Sequence, residues 1–203
     1  MLIEAKILNP SEVYNLLPEK FYCEVHNGDF WISNMQLPKW MIYQLLPEGT
    51  RVQLINNQFV MSPGPSVKHQ DLLLAIAQKI QKWVSSEKMG KVMIAPLDVH
   101  FAEKEVYQPD ILFVSNEKSD IIFENAIYGA PDLIIELLSP SNATFDLHQK
   151  KDVYEKKKVK EYWTVDAATK EVVGYELGAK GYKGLPKTKG IISSKLLGKT
   201  FKF

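Results

Sequence analysis

Glu136 lies inside Pro131-Asp132-Leu133-Ile134-Ile135-Glu136-Leu137-Leu138-Ser139-Pro140, a run otherwise dominated by leucine and isoleucine. Bounded by a Gly-Ala-Pro turn and a Ser-Pro break, it reads as a short strand buried on both faces. An ionised carboxylate in that setting is costly unless a cation or several donors satisfy it. Asp110 repeats the theme, following Pro109 and opening the apolar run Ile111-Leu112-Phe113-Val114. If the two strands are neighbours, both carboxylates can converge on one hard cation, because magnesium prefers oxygen ligands. Simpler roles stand beside this one. Asp110 can cap the turn after proline and face water, and Glu136 can form a buried ion pair with a lysine.

The nearest candidate lysine follows the Glu136 run. Asp146, Lys150 and Tyr154 are spaced four apart, so on a helix they share one side. That helix, expected over 144–158, brings Lys150 close enough to fold back over the glutamate strand. As a surface pair with Asp146 it would contribute only roughly a few tenths of a kcal/mol.

Other elements must position these residues. Leu72, Leu73, Ile76, Ile80, Trp83 and Val84 fall at helical spacing and predict a helix over 67–86, after a loop at Ser62-Pro63-Gly64-Pro65-Ser66. Strands are expected over 91–101, 106–114 and 132–138, the first two joined by a turn at 102–105. Two more, 161–165 and 171–177, follow the second helix, and the lysine-rich end can add another. This order is that of an α/β protein built on one mixed sheet. The first third carries an internal repeat. Tyr14-Asn15-Leu16-Leu17-Pro18-Glu19 recurs as Tyr43-Gln44-Leu45-Leu46-Pro47-Glu48, and 24–33 aligns with 53–62. Each copy reads as a helical turn followed by a hairpin, with Asn27-Gly28 and Asn56-Asn57 able to take the positive φ of a two-residue turn. The copies read as paired hairpins on the edge of the main sheet, or as a dimerisation element.

Composition narrows the class. The 203 residues are enough for one large domain with a core, and net charge is only +1, so the protein is no polycation. Lysines cluster nevertheless at 150, 151, 156–158 and 160, and no acid follows Glu176. Such patches can hold phosphates or be plain solvated faces. A single cysteine, Cys23, excludes an internal disulfide and a cysteine-based zinc cluster. No apolar run reaches the roughly 18 residues of a membrane span, and the N-terminus lacks the apolar core of a signal peptide, so a cytoplasmic protein without membrane partners is expected.

Gln108-Pro109-Asp110, the segment from Gly129 to Ser141, and Asp146 through Lys150 and Tyr154 to Val159-Lys160-Glu161-Tyr162-Trp163 resemble the Uma-type restriction endonuclease family of the PD-(D/E)XK nuclease superfamily. Met61-Ser62-Pro63 with His69, Ala95-Pro96-Leu97-Asp98-Val99 and Ser193-Ser194-Lys195-Leu196-Leu197-Gly198 extend the resemblance from about Leu45 to the C-terminus. It implies an α/β (α+β) restriction-endonuclease-like core over 41–203, a mixed central sheet flanked by helices. Residues 1–40 would be an N-terminal appendage holding the first copy of the hairpin repeat.

The same resemblance implies a Mg²⁺-dependent DNA endonuclease that hydrolyses phosphodiester bonds, with Mn²⁺ as a substitute ion. Asp110 and Glu136 would be the metal ligands. The superfamily lysine expected two residues after the glutamate is replaced by Leu138, and Lys150 takes its role, with Lys151 as the fallback one register away. His69 matches a family histidine and is readable equally as a helix N-terminal residue. Lys151, Lys156 and Lys157 would contact DNA phosphates. The family's common glutamate and turn glycine are Gln53 and Asn57 in the second copy of the repeat, whereas the first copy keeps them as Glu24 and Gly28. A homodimer would suit a nuclease, since two strands need two active sites. Two alternatives remain: a nucleic-acid-binding or interaction protein that keeps the fold without catalysis, which Leu138 favours, and a purely structural Glu136–Lys150 pair.

Overall fold

In the computed structural model, the described residues are 6–203 apart from 19–22, 28, 33–34, 48, 62–63, 103–104 and 139–148. The chain opens with β1 (Lys6–Ile7), α1 (Pro10–Tyr14), β2 (Glu24–His26) and β3 (Asp29–Ile32). The second copy of the repeat follows as β4 (Met35–Leu37), α2 (Lys39–Gln44), β5 (Val52–Ile55) and β6 (Gln58–Met61). Next come the long helix α3 (Val67–Ser86), then β7 (Gly90–Ile94), β8 (Val99–Ala102), β9 (Glu105–Tyr107), β10 (Ile111–Ser115), β11 (Ile127–Tyr128) and β12 (Leu133–Leu138). After α4 (Lys151–Lys156) the chain ends in strands: β13 (Glu161–Asp166), β14 (Glu171–Gly178), β15 (Gly181–Gly184), β16 (Thr188–Lys189), β17 (Ile191–Ser194) and β18 (Lys199–Lys202).

Two expected strands are each divided in two. The stretch 91–101 becomes β7 and β8, and 106–114 becomes β9 and β10. β7 and β10 belong to a seven-stranded sheet of order β15-β14-β13-β12-β10-β7, with β16 beside β14, whereas β8 and β9 belong to a six-stranded sheet of order β1-β6-β5-β9-β8-β11. Proline explains both divisions: Pro96 and Pro109 have no N–H to give a ladder, so a strand ends there and the chain changes sheet. Asp110 stands at one of these crossing points. Within the larger sheet β12 runs parallel to β13 and antiparallel to β10, which makes the sheet mixed, as expected.

The faces of that sheet are covered differently. Ile111, Phe113, Leu133, Ile135 and Leu137 pack under α3 through Leu72, Leu73, Ile76, Ile80 and Val84. Each such side chain contributes about 1.5–3 kcal/mol when fully buried. Ser66 starts α3 by accepting the His69 N–H on its Oγ at 3.2 Å. On the other face Leu112, Val114 and Ile134 meet Tyr154 and Val153 of α4, Tyr162, and Val99 and Tyr107 of the second sheet. The helix expected over 144–158 is described only from a wide turn at 149–150 into α4; its first part, with Asp146, lies outside the described residues. The turn glycine Gly28 and the tip residues 103–104 lie outside them too, whereas Asn27, Asn56 and Asn57 have φ of 48°, 50° and 60°.

Two further buried carboxylates fasten the framework. Glu161, 2% exposed, accepts from Trp163 Nε1 at 3.0 Å and from the Leu196 N–H at 2.7 Å, tying the C-terminal hairpin β17–β18 to the sheet. Asp132, fully buried ahead of β12, accepts from the Ser115 N–H at 2.9 Å and pairs with Lys160 at 2.8 Å and Lys118 at 3.4 Å. Burial pushes the Asp132 carboxyl up, but the Lys160 ammonium, the Ser115 donors and Lys118 outweigh it and hold the group below its ordinary range. Because the folded-state value is depressed, the stabilisation is present above the unfolded carboxylate value of about 3.9 and is lost as pH falls through the lower folded value. Asp132→Asn should therefore lower stability by about 1–3 kcal/mol at neutral pH and by less in acid, measured by urea unfolding across that range.

Candidate active site

Strand register brings the two sequence-selected carboxylates together. β10 and β12 pair Ile111 with Ile135 and Leu112 with Ile134, so one step further along Asp110 stands opposite Glu136. Asp110 shares the face of Leu112, and Glu136 that of Ile134, because alternate residues point the same way. Both side chains therefore belong to the face that meets α4. Asp110 is held from two sides: its carbonyl accepts the Ala95 N–H at 3.0 Å, and its Oδ2 accepts the Leu137 N–H at 2.7 Å. A carboxylate here does the work of a ladder carbonyl just where proline has ended the strand.

Glu136 is 2% exposed. Its Oε1 accepts from Lys150 Nζ at 2.9 Å and from the Tyr154 hydroxyl at 2.7 Å. Lys150 is itself 4% exposed, so both charges of the pair are removed from water. Tyr154 is wedged among Phe101, Tyr107 and Tyr162, with ring centroids 5.5, 5.8 and 5.2 Å away. Edge-on packing of this kind fixes a ring's position, and with it the hydroxyl aimed at Glu136. Lys151, the fallback, turns elsewhere: its Nζ is 3.9 Å from Glu155 and 5.2 Å above the Tyr175 ring. His69, in the first turn of α3, reaches the same place, with Nε2 3.5 Å from Asp110 Oδ2.

The three lysines assigned to DNA differ in availability. Lys156 is exposed. Lys157 is engaged by Glu105 at 2.7 Å and by the Phe101 carbonyl at 3.3 Å, and Lys151 by the partners just given.

Several site residues were not selected from the sequence. Tyr154 was placed on the Lys150 side of its helix by spacing, but its bond to Glu136 was not foreseen. Thr164 pairs with Glu136 across β12 and β13, on the same face, and its Oγ1 and the Tyr107 hydroxyl have no hydrogen-bond partner among the described residues. Burial, and secondarily Glu105, pushes the Tyr107 hydroxyl up against the opposing effect of Lys150, so it remains a neutral donor. Gln53 is 6% exposed and its Oε1 accepts the Gln108 N–H at 3.0 Å, two residues before Asp110.

The donor set suits a hard cation. Asp110 and Glu136 offer carboxylate oxygens on one face, and buried hydroxyls beside them can hold water. No group of three His, Cys, Asp or Glu side chains converges among the described residues. Magnesium is commonly bound through one or two carboxylates plus waters and substrate phosphates, so a pair is sufficient for it.

Comparison with known proteins places this arrangement. The family model Uma2, described as "Putative restriction endonuclease", matches residues 16–198. The chain belongs to the Uma2 family. The match begins inside the first copy of the repeat, earlier than the resemblance from about Leu45. Among solved structures the chain is similar to a "putative nuclease belonging to DUF820" from Anabaena variabilis, with a TM-score of 0.65 at 18% identity, covering 78% of this chain and 90% of that one. At that identity the likeness establishes the fold, a nuclease fold of the restriction-endonuclease type, as the sequence led us to expect. No curated protein matches the chain. Among the described residues, no helix is long and apolar enough to cross a membrane.

The buried Glu136–Lys150 pair makes a thermodynamic prediction. Lys150→Met leaves Glu136 without its ammonium and should cost about 3–5 kcal/mol, whereas Glu136→Gln combined with Lys150→Met should cost clearly less than the sum of the single changes. Tyr154→Phe should cost about 1 kcal/mol. Chemical unfolding of the four proteins of the cycle measures the coupling.

Proposed function

We propose that the protein is a Mg²⁺-dependent endonuclease that hydrolyses DNA phosphodiester bonds, with Mn²⁺ as a working substitute. The observation that supports this best is the facing pair Asp110 and Glu136 with Lys150 Nζ seated on Glu136. Asp110 and Glu136 are the residues that hold the ion. When bound, the ion polarises the scissile phosphate and makes an attacking water acidic. Lys150 keeps a fixed positive charge beside the site, where negative charge grows on the phosphate in the transition state. Tyr154 and the Leu137 N–H hold one oxygen of each carboxylate, so both are oriented before substrate arrives. His69 orients Asp110 from the α3 side. Lys156, with Lys151 and Lys157, neutralises phosphates flanking the cut, and this contact carries no sequence information.

A second reading, a DNA-binding protein of nuclease fold without catalysis, draws on one observation: Leu138 occupies the superfamily's lysine position and Lys150 is already clamped by Glu136.

Glu136→Gln and Asp110→Asn should each abolish cleavage of plasmid and single-stranded DNA in Mg²⁺ or Mn²⁺, while DNA binding in the absence of divalent ions stays near wild type. A wild-type protein that binds DNA but cuts no form of it with either ion would establish the second reading. Lys156→Ala should weaken binding evenly across sequences and reduce the slope of log K against log salt by about 1, read from a salt titration of fluorescence anisotropy.

A further inference from the structure

The repeat contains a symmetry that the proposed chemistry does not use. Both copies have the same four elements, strand, helix, strand, strand: β1-α1-β2-β3 and β4-α2-β5-β6. Within each copy the hairpin has the same register, since Val25 pairs with Phe30 and Leu54 with Phe59, each 29 positions on. The first strand of each copy, however, does not pair within its own copy. β1 pairs with β6, Lys6 opposite Met61, and β4 pairs with β3, Met35 opposite Ile32. These are equivalent contacts: adding 29 to Lys6 gives Met35, and subtracting 29 from Met61 gives Ile32. The copies exchange their first strands reciprocally, as two subunits do across a two-fold axis.

The packing obeys the same symmetry. Leu8 and Leu37, Val13 and Ile42, and Phe30 and Phe59 are equivalent pairs, all buried in one cluster. Phe30 and Phe59 touch each other edge to face, with centroids 6.1 Å apart. A residue meeting its own equivalent marks the position of the local axis. The symmetry breaks at the outer edges of the two hairpins. The outer edge of β5 pairs with β9 and so continues into the six-stranded sheet, whereas the equivalent edge of β2 ends its three-stranded sheet, with Glu24 and His26 exposed.

We propose that this β-α-β-β unit is a self-association module closed within one chain, the first copy occupying on the second the surface that would otherwise receive the second copy of another molecule. Three observations carry it: the reciprocal strand exchange, the self-facing phenylalanines, and the β2 edge, which pairs with no further strand among the described residues. The docking strands are free of opposed charges in that homodimer. Met35 would face Met61, Gln36 would face Val60, and Leu37 would face Phe59 of the other molecule, all neutral pairs. The wild-type chain does not use this surface between molecules, because the first copy is tethered beside it at high effective concentration.

The experiment unseats the first copy in the full-length chain. Phe30→Asp places a charge in the shared core and should convert a species monomeric through this surface into a dimer, read by light scattering after gel filtration, while circular dichroism shows the rest of the fold retained. Adding Phe59→Asp damages the receiving surface itself and should return the protein to a monomer. A folded Phe30→Asp protein that stays monomeric overturns the proposal, as does a dimer indifferent to Phe59→Asp. Should Phe30→Asp precipitate, Val13→Ala replaces it. This change opens a cavity in the first copy and should move the monomer–dimer midpoint about tenfold or more to lower concentration in sedimentation velocity. An unshifted Val13→Ala overturns the proposal equally. None of these readouts depends on nuclease activity.

Discussion

Two carboxylates facing each other across adjacent buried strands constrain everything around them. Like charges on neighbouring strands repel, and burial adds a desolvation cost to each. The fold answers with two interactions for each group. Glu136 receives the Lys150 ammonium at 2.9 Å and the Tyr154 hydroxyl, and Asp110 receives the Leu137 N–H and lies beside His69. The donors come from α3, α4 and β12, so the major elements meet at this charge pair. In the proposed function a divalent cation would add the same kind of compensation more strongly.

The architecture puts the pair where strands change sheet. Pro96 and Pro109 follow β7 and β9, so the two sheets part beside Asp110. Asp110 then serves twice, as an acceptor that completes the ladder beyond the proline and as a site carboxylate. Its backbone is held by Ala95, and the residue two before it by Gln53. Held at both ends, the short segment Gln108-Pro109-Asp110 has little freedom to carry Asp110 away from Glu136.

Much of this was legible in the sequence because charge in an apolar run is a strong local signal. The Glu136 strand, the α3 stripe and the Lys150 side of the second helix all follow from spacing alone. The division of 91–101 and 106–114 between two sheets did not, because a continuous apolar pattern cannot say which sheet each half joins. Nor could local pattern rank the buried carboxylates. Asp132, Glu136 and Glu161 all adjoin or interrupt apolar strands, yet Asp132 and Glu161 each accept from a backbone N–H as fasteners, whereas Glu136 is held by the Lys150 and Tyr154 side chains and stands opposite Asp110. Tyr107 and Thr164 look like ordinary strand residues. Their hydroxyls gain meaning only from register, which depends on contacts between distant segments. The first strands of the repeat, two or three residues long, were missed for the same reason: their pairing lies in the other copy.

Gln53 shows how the two halves of the molecule are joined. The resemblance implies a glutamate at this place, and the first copy keeps one as Glu24. Here the amide oxygen accepts the Gln108 N–H, while the Gln108 side chain donates to Asp98 and the Thr50 carbonyl, so a contact that positions the loop before Asp110 survives the exchange. The charge does not. A third carboxylate close to Asp110 and Glu136 would have to be balanced by the same single buried ammonium, Lys150, or by more metal charge. With glutamine the site needs less compensation to fold. The second copy of the repeat therefore reaches the segment before Asp110 through Gln53, while Glu24, exposed on an open edge, pairs with His26 at the surface. The repeat sets one fold in two environments, and the environment, rather than the residue type, decides which copy contacts the segment before Asp110.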